Sequence, residues 1–365
     1  MKIAIVGTRG IPNNYGGFET LAEYLVTSLS KDLEITVYCS SVDISSEMKE
    51  YKGARLKYIP FSSHGFSGII YDSIALLNAV KGNDRILILG FGCGFIIPFL
   101  RKYRNKFVLN IGGLDWKRSK WPRLARKAIK FSERNLIKYS HTVIADNIGI
   151  QKYILDKYNK KGVFIAYGGN QAKKILPDET FKKEYPFLNK PYAFGVARVQ
   201  PDNNIEMILN AFANKDGLPL VFVGNWENSR YGKKVKKSFN TSKNIILLDA
   251  IYDRERLDVL RSNCKVYIHG HSAGGTNPSL VEAMHLGLPV FAYASGYNEY
   301  TTENKALYFH NEQELSQLVE NISNYDLAEI GAELEKVARQ KYDWADIAKQ
   351  YKEIFTASEG KLNHD

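Results

Sequence analysis

Two stretches of this chain begin alike. Residues 2–29, KIAIVGTRGIPNNYGGFETLAEYLVTSL, and residues 192–212, YAFGVARVQPDNNIEMILNAF, each run a short strand pattern through a small-residue loop into a helical pattern. The first is followed by EITVYCS, RLKYIPF, RILILG, KFVLNIG and HTVIAD, the second by LPLVFVG, NIILLDAI, KVYIHG, LPVFAYA and ALYF. Such apolar, β-branched runs alternating with helical segments predict parallel, doubly wound sheets covered by helices on both faces. The expected class is α/β, with two Rossmann-like domains facing a cleft and ligands bound where the strands end and the loops begin.

A length of 365 residues suits two domains of this kind, at roughly 150 residues per domain. The join falls in the polar, breaker-rich stretch GGNQAKKILPDETFKKEYPFLNKP. This predicts an N-terminal domain over 1–170, a second over 171–342, and a terminal helix with its tail over 343–365. Hydrophobic residues at 44% and charged residues at 24% exclude a disordered chain. Cys39, Cys93 and Cys264 are too few and too scattered for a disulfide scaffold and read as free thiols in a reducing compartment. The opening MKIAIV enters a strand directly, so no signal peptide is expected. The longest apolar run, Ile86 to Leu100, has 15 residues with three glycines and a proline. A membrane span needs about 20, so the run reads as a buried strand, a glycine turn and a helix start.

The net charge of +11 is concentrated. Residues 101–138 hold 13 Lys and Arg against Asp115 and Glu133, and the rest of the chain balances at 37 basic and 37 acidic side chains. Arg123, Lys127, Lys130, Arg134 and Lys138 recur at helical spacing, with Ala125, Ala128, Ile129, Ser132, Leu136 and Ile137 largely opposite. Three readings are open: a solvated face, a nucleic-acid surface, or a surface for an anionic membrane or polyanion. No aromatic platform or recognition-helix motif accompanies the stripe, so no nucleic-acid partner is expected. Anionic lipid is worth roughly 1 kcal/mol per nearby Lys or Arg. The stripe is therefore expected to hold the protein on the inner face of the plasma membrane, a cytoplasmic and peripheral location.

The segment YIHGHSAGGTNPSLVEAMHLGLPVFAY carries the most chemistry. Asn277 and Pro278 have the residue types of an N-cap and a first helical position, and Gly287 and Pro289 those of a helix end. Amides at Ser279 and Leu280, left free at the helix start behind Gly274–Gly275, would cradle a phosphate. Glu282, one turn on, would reach ribose hydroxyls. An ordinary capped helix remains the alternative.

This segment resembles the donor site of the retaining, GT-B-fold glycosyltransferases of family 4. Val281-Glu282-Ala283-Met284 and Gly287-Leu288-Pro289-Val290 match the second half of their motif, while its first Glu falls on Gly274. HGHSAGGTNPSLVEAM is similar to a rhamnosyltransferase-like subgroup of bacterial surface-polysaccharide assembly. In GVARVQPDNNIEMI, Arg198 matches a diphosphate-binding arginine, and Asn203 stands where the family has lysine. The resemblance implies diphosphate contacts from Gly16, Gly17, Gly275, Thr276, Asn277, Pro278, Ser279 and Leu280. It places Tyr252 near the nucleobase, with core packing as its alternative, and Asn14, Tyr15, Phe18 and Glu19 on the acceptor side. NIGGLDWKRSKW resembles the subgroup's Asp-Gly-Leu-Glu-Trp-Lys-Arg, with Gly112 in place of the first acid and Asp115 in place of the second. Trp116, Lys117 and Arg118 then join the acceptor side.

The resemblance thus implies transfer of a sugar, L-rhamnose from dTDP-rhamnose, with retention onto a lipid-linked saccharide acceptor. Arg198, Asp115 and His271 are the catalytic candidates, although a surface ion pair for Arg198, an N-terminal helix acid for Asp115 and strand-end roles for His269 and His271 stay open. The nucleotide sugar is a co-substrate; no cofactor or metal is expected, since neither an Asp-x-Asp triplet nor a His/Cys ligand spacing occurs. The rival readings are a nucleotide-sugar epimerase of related fold and a nucleic-acid-binding protein using residues 101–138.

Overall fold

A computed structural model describes residues 1–12, 16–44, 48–118, 121–213 and 215–357. The chain forms two compact units. The first comprises Met1–Lys117, Trp121–Tyr167 and the segment from Trp344 onward; the second comprises Arg118–Lys120 and Gly168–Asp343.

The first unit is built on strands β1 (Lys2–Val6), β2 (Glu34–Ser40), β3 (Glu50–Tyr51), β4 (Ala54–Ile59), β5 (Arg85–Leu89), β6 (Phe107–Asn110), β7 (Thr142–Ala145) and β8 (Val163–Phe164). Their order across the sheet is β3-β4-β2-β1-β5-β6-β7-β8, parallel except for the β3–β4 hairpin. That hairpin turns through Lys52 and Gly53, both at positive φ (46° and 84°), the backbone a tight two-residue connection favours. Neither β3 nor β8, at two residues each, leaves a periodic signal in the sequence. Strand order reverses between β1 and β5, the point of an open α/β sheet where the following loops diverge to leave a crevice.

The helix Trp344–Thr356 also belongs to this first unit. Its Trp344 ring lies parallel to Tyr24, centroids 4.3 Å apart, and Tyr351, fully buried, accepts a hydrogen bond from Asn110 Nδ2 at 2.7 Å. Ile347, Ala348 and Phe355 complete the buried face against Leu25, Val26 and Leu29 of the Gly17–Leu29 helix.

The second unit has β9 (Ala193–Ala197), β10 (Leu220–Gly224), β11 (Ile245–Asp249), β12 (Val266–His269), β13 (Val290–Tyr293) and β14 (Leu307–Phe309). All are parallel in the order β11-β10-β9-β12-β13-β14, so the reversal lies between β9 and β12. Phe194, Phe222, Trp226, Phe291 and Phe309 are buried in this unit. The join is less loop-like than its composition suggests: Asp178 caps a helix, Glu179–Glu184, by accepting from the Phe181 amide at 2.8 Å.

All three cysteines are buried and free. The Ile86–Leu100 run forms β5 and then 3-10 turns, Gly92–Phe95 and Ile97–Lys106, in place of an α-helix start. Among the described residues, no helix is long and apolar enough to cross a membrane.

Candidate active site

In the second unit the loops after β9 and β12 meet at the switch point and are knitted by amides. Asn203 is buried; its Nδ2 donates to the Arg198 carbonyl at 2.7 Å, and its Oδ1 faces His271 Nδ1 at 2.7 Å. Asn204, held at φ 49°, donates to Gly270 O at 2.9 Å. A Cβ on Gly270 would sit 2.3 Å from Asn203 O, so glycine is what lets the two loops touch. Ser272 donates from N and Oγ to Asp202 O at 3.0 and 2.9 Å, and Asn298 Nδ2 holds His271 O at 2.9 Å. Asn203 is therefore not a lost cation alone: a lysine there has no carbonyl oxygen with which to accept from His271.

His271 Nε2 lies 3.3 Å from Gly274 O. Burial pushes the His271 pKa down to about 4, with Arg118 adding to the effect and Asp202 opposing it. Burial likewise lowers His269 to about 3, with His271 assisting. Both rings are neutral at physiological pH. His269 Nε2 and Asp202 Oδ1 are buried without a hydrogen-bond partner.

The Pro278–His285 helix starts as its sequence predicts, with Asn277 at the N-cap. The amides at its start are not free, however, which corrects that expectation. Asn277 Oδ1 accepts from Ser279 N at 3.0 Å and Ser279 Oγ at 2.9 Å, and the Leu280 amide donates to Asn277 O at 3.1 Å. The cap satisfies the helix internally, so an anion would gain the dipole more than unpaired donors. Gly274 and Gly275 take φ of 88° and 82°, a region unfavourable for any L-residue. A glutamate at 274 would be strained in this backbone. Thr276 is buried.

Glu282 is held where sequence spacing does not foresee. Its Oε2 accepts from Arg261 and its Oε1 from Gln171. Arg261, almost wholly buried, also donates to Asp258 Oδ1 at 2.7 Å. Burial opposes charge on the guanidinium, but the Glu282 and Asp258 carboxylates outweigh it and raise the Arg261 pKa. The carboxylate of Glu282 is therefore fixed in direction while its side chain keeps 19% exposure. Asp258 and Arg261 lie on the inward face of the Arg254–Ser262 helix beside buried Val259 and Leu260, and charged residues at core positions were the signal available in the sequence. Arg198 is exposed just beyond β9. Tyr252 is 61% exposed, which rules out core packing for it. Arg118 groups with the second unit, its Nε 3.8 Å from Asp202 Oδ2.

In the first unit Gly16 caps the Gly17–Leu29 helix at φ 126°, with no side-chain cap. A Cβ there would fall 1.9 Å from Glu19 Oε2, and Glu19 Oε1 accepts from the Arg9 amide at 3.0 Å. The helix start behind Gly16–Gly17 thus already has a carboxylate against it. Phe18 lies over Gly90 and Gly112: a Cβ on Gly112, at φ 58°, would be 2.8 Å from the Phe18 ring. The space an acid would need at 112 is filled by Phe18. Asn14 and Tyr15 lie outside the described residues.

Asp115, Trp116 and Lys117 form a 3-10 turn in this unit. Lys130 Nζ sits 4.5 Å above the Trp116 ring, which turns Lys130 out of the solvated stripe. Arg123, Lys127, Arg134 and Lys138 are exposed on the Arg123–Tyr139 helix. Glu133 is fully buried, its Oε1 accepting from Tyr153 and Tyr158 hydroxyls at 2.6 Å each, and burial raises its pKa. Among the described residues, no group of three or more His, Cys, Asp or Glu could hold a metal ion.

Residues 177–341 match the family model of glycosyl transferases group 1, and residues 1–170 match a domain of unknown function, DUF1972. The group 1 match thus gives residues 177–341 a glycosyl transferase domain, and the two parallel-sheet α/β units have the GT-B fold of glycosyltransferases. The chain is similar to protein CapJ of Staphylococcus aureus, at 23% identity over 293 residues, 72% of this chain and 73% of that protein. Its fold is similar to sucrose-phosphate synthase from Thermosynechococcus elongatus, with 19% identity and a TM-score of 0.81 over 98% of this chain and 100% of that one. It is also similar to Anabaena HepE in complex with UDP, with 15% identity and a TM-score of 0.71 over 97% and 99% of the two chains.

Proposed function

We propose that the protein transfers L-rhamnose from dTDP-rhamnose, with retention, to a lipid-linked saccharide acceptor in surface-polysaccharide synthesis. The observation that carries the nucleotide-sugar donor is Glu282, aimed by the buried Arg261–Asp258 pair one turn into the helix that leaves the Gly274–Gly275 loop. Each of its oxygens accepts one hydrogen bond from the protein, and each keeps a further acceptor direction for a ribose hydroxyl. HepE, of similar fold, has been captured with UDP and with UDP-glucose, which supports the same class of donor here.

In this reading Arg198 and the positive end of the Pro278–His285 helix, with Gly275 and Thr276, meet the charge that grows on the leaving diphosphate. The leaving diphosphate helps to take the proton from the acceptor hydroxyl on the same face of the sugar. His271, kept neutral, lines the phosphates without adding charge, and Tyr252 offers an exposed ring to the base. No metal is required for this charge balance. Glu19, Phe18 and the Asp115–Lys117 turn serve the acceptor. The exposed cations Arg123, Lys127, Arg134 and Lys138 hold the first unit to the anionic inner face of the plasma membrane.

Thermal melts with dTDP, UDP and GDP test the donor, because a ligand of the folded state raises the midpoint by mass action. The expected order is dTDP above UDP and GDP, followed by rhamnose transfer that persists in EDTA. Epimer formation without any acceptor would sink the reading.

A further inference from the structure

The Arg123–Tyr139 helix packs inward through Ser132, Glu133, Leu136 and Ile137, with Ser132 Oγ donating to Phe91 O and Asn135 Nδ2 to Gly94 O at 3.0 Å. Its outward face is not purely cationic. Leu124, Lys127, Phe131, Arg134 and Lys138 succeed one another at spacings of 3, 4, 3 and 4 residues, which lines them up on one side of an α-helix. Leu124 is 81% exposed and Phe131 54%. The adjoining 3-10 turns add Phe99, 84% exposed, and Phe95, whose ring centroid is 5.9 Å from that of Phe131. Arg101 and Lys102 are exposed beside them. The acid inside the helix, Glu133, is fully buried, so the face shows water its cations and aromatic rings without that negative charge.

A stripe kept only for solubility has no use for large apolar side chains at its centre. A second copy of the chain would bring like charges together. We infer that this face inserts into an anionic bilayer, its cations on the lipid phosphates and Phe99, Leu124 and Phe131 in the headgroup–acyl boundary. The inference rests on the membrane partner in the reading above and adds apolar insertion to electrostatic adsorption.

Salt separates the two. Adsorption through charge fades as the Debye length shrinks to a few Å at about 0.5 M salt, and buried apolar surface does not. The full chain is sedimented with phosphatidylglycerol-containing vesicles at low and high salt, beside the triple variant Phe99→Ser, Leu124→Ser, Phe131→Ser. These side chains are exposed, and a thermal melt verifies that the variant stays folded. Wild type is expected to stay bound at high salt, and the triple variant to bind at least tenfold more weakly there while still adsorbing at low salt. Loss of wild-type binding at high salt, with both proteins adsorbing equally at low salt, would overturn insertion and leave electrostatic docking standing. Failure of wild type to bind at low salt would overturn both, as would tighter binding to single-stranded RNA than to the vesicles.

Discussion

In each unit a strand bordering the reversal of strand order leads through a glycine-containing loop into a helix, β1 in the first and β12 in the second, and the two helix starts are treated in opposite ways. Behind β1 the Gly16–Gly17 turn has no side-chain cap, and the Glu19 carboxylate lies against it. Behind β12 the neutral amide of Asn277 makes the cap, and Asn203, Asn204 and Asn298 brace the loops around it. A helix start carries roughly half a positive charge, which one carboxylate more than cancels and a carboxamide leaves in place. In the proposed reading this suits the second loop to the diphosphate and the first to an acceptor hydroxyl, although both look equally glycine-rich in sequence.

Glu282→Ala should act most strongly, because it removes the ribose acceptor and one of the two carboxylates that hold the buried Arg261. With Asp258 still on the guanidinium, the stability loss should stay below the cost of a fully broken buried pair, about 3–5 kcal/mol, while transfer should fall at least a hundredfold; urea unfolding and initial rates measure the two losses. An unaltered unfolding midpoint would mean Arg261 does not depend on Glu282. Next comes Asn277→Asp, a swap that preserves a good N-cap but places an anion where the diphosphate is proposed. Nucleotide affinity by calorimetry should drop roughly tenfold with the melting temperature nearly unchanged.

Acid should weaken the second unit first. His269 and His271 have folded pKa values of about 3 and about 4, below the roughly 6.5 of an unfolded histidine. As pH falls the unfolded chain takes up the proton first, so stability is complete above about pH 6.5 and is lost toward pH 4. Between pH 7 and 5 the folding equilibrium should fall by roughly twentyfold per histidine, and His271→Gln should flatten the slope. Smallest is Glu19→Gln, which makes the first loop resemble the second: any added nucleotide affinity there should be only about two- to fivefold, the scale of one helix-end charge. A larger gain would mean that Glu19 alone separates the two loops.

Much of this architecture is legible along the chain. All twelve strands read as β-branched runs appear, since a strand buried on both faces must be apolar throughout. Asn277-Pro278 marks its helix start because capping is local chemistry. What escapes is short or distant. β3 and β8 exist only because a neighbouring strand offers hydrogen bonds, and the Arg261–Glu282 pair joins two helices separated by β12. Lys130 counts as one more cation in the sequence; in the structure it is spent on the Trp116 ring.

Strand order of appearance, loop chemistry and the location of charge follow from neighbouring residues and therefore from the sequence itself. Which loop can accept an anion does not. That depends on Glu19 folding back against Gly16, on Asn203 reaching His271, and on Phe18 filling the space above Gly112. Tertiary packing decided these, because electrostatics and steric exclusion act over ångströms in space regardless of distance along the chain.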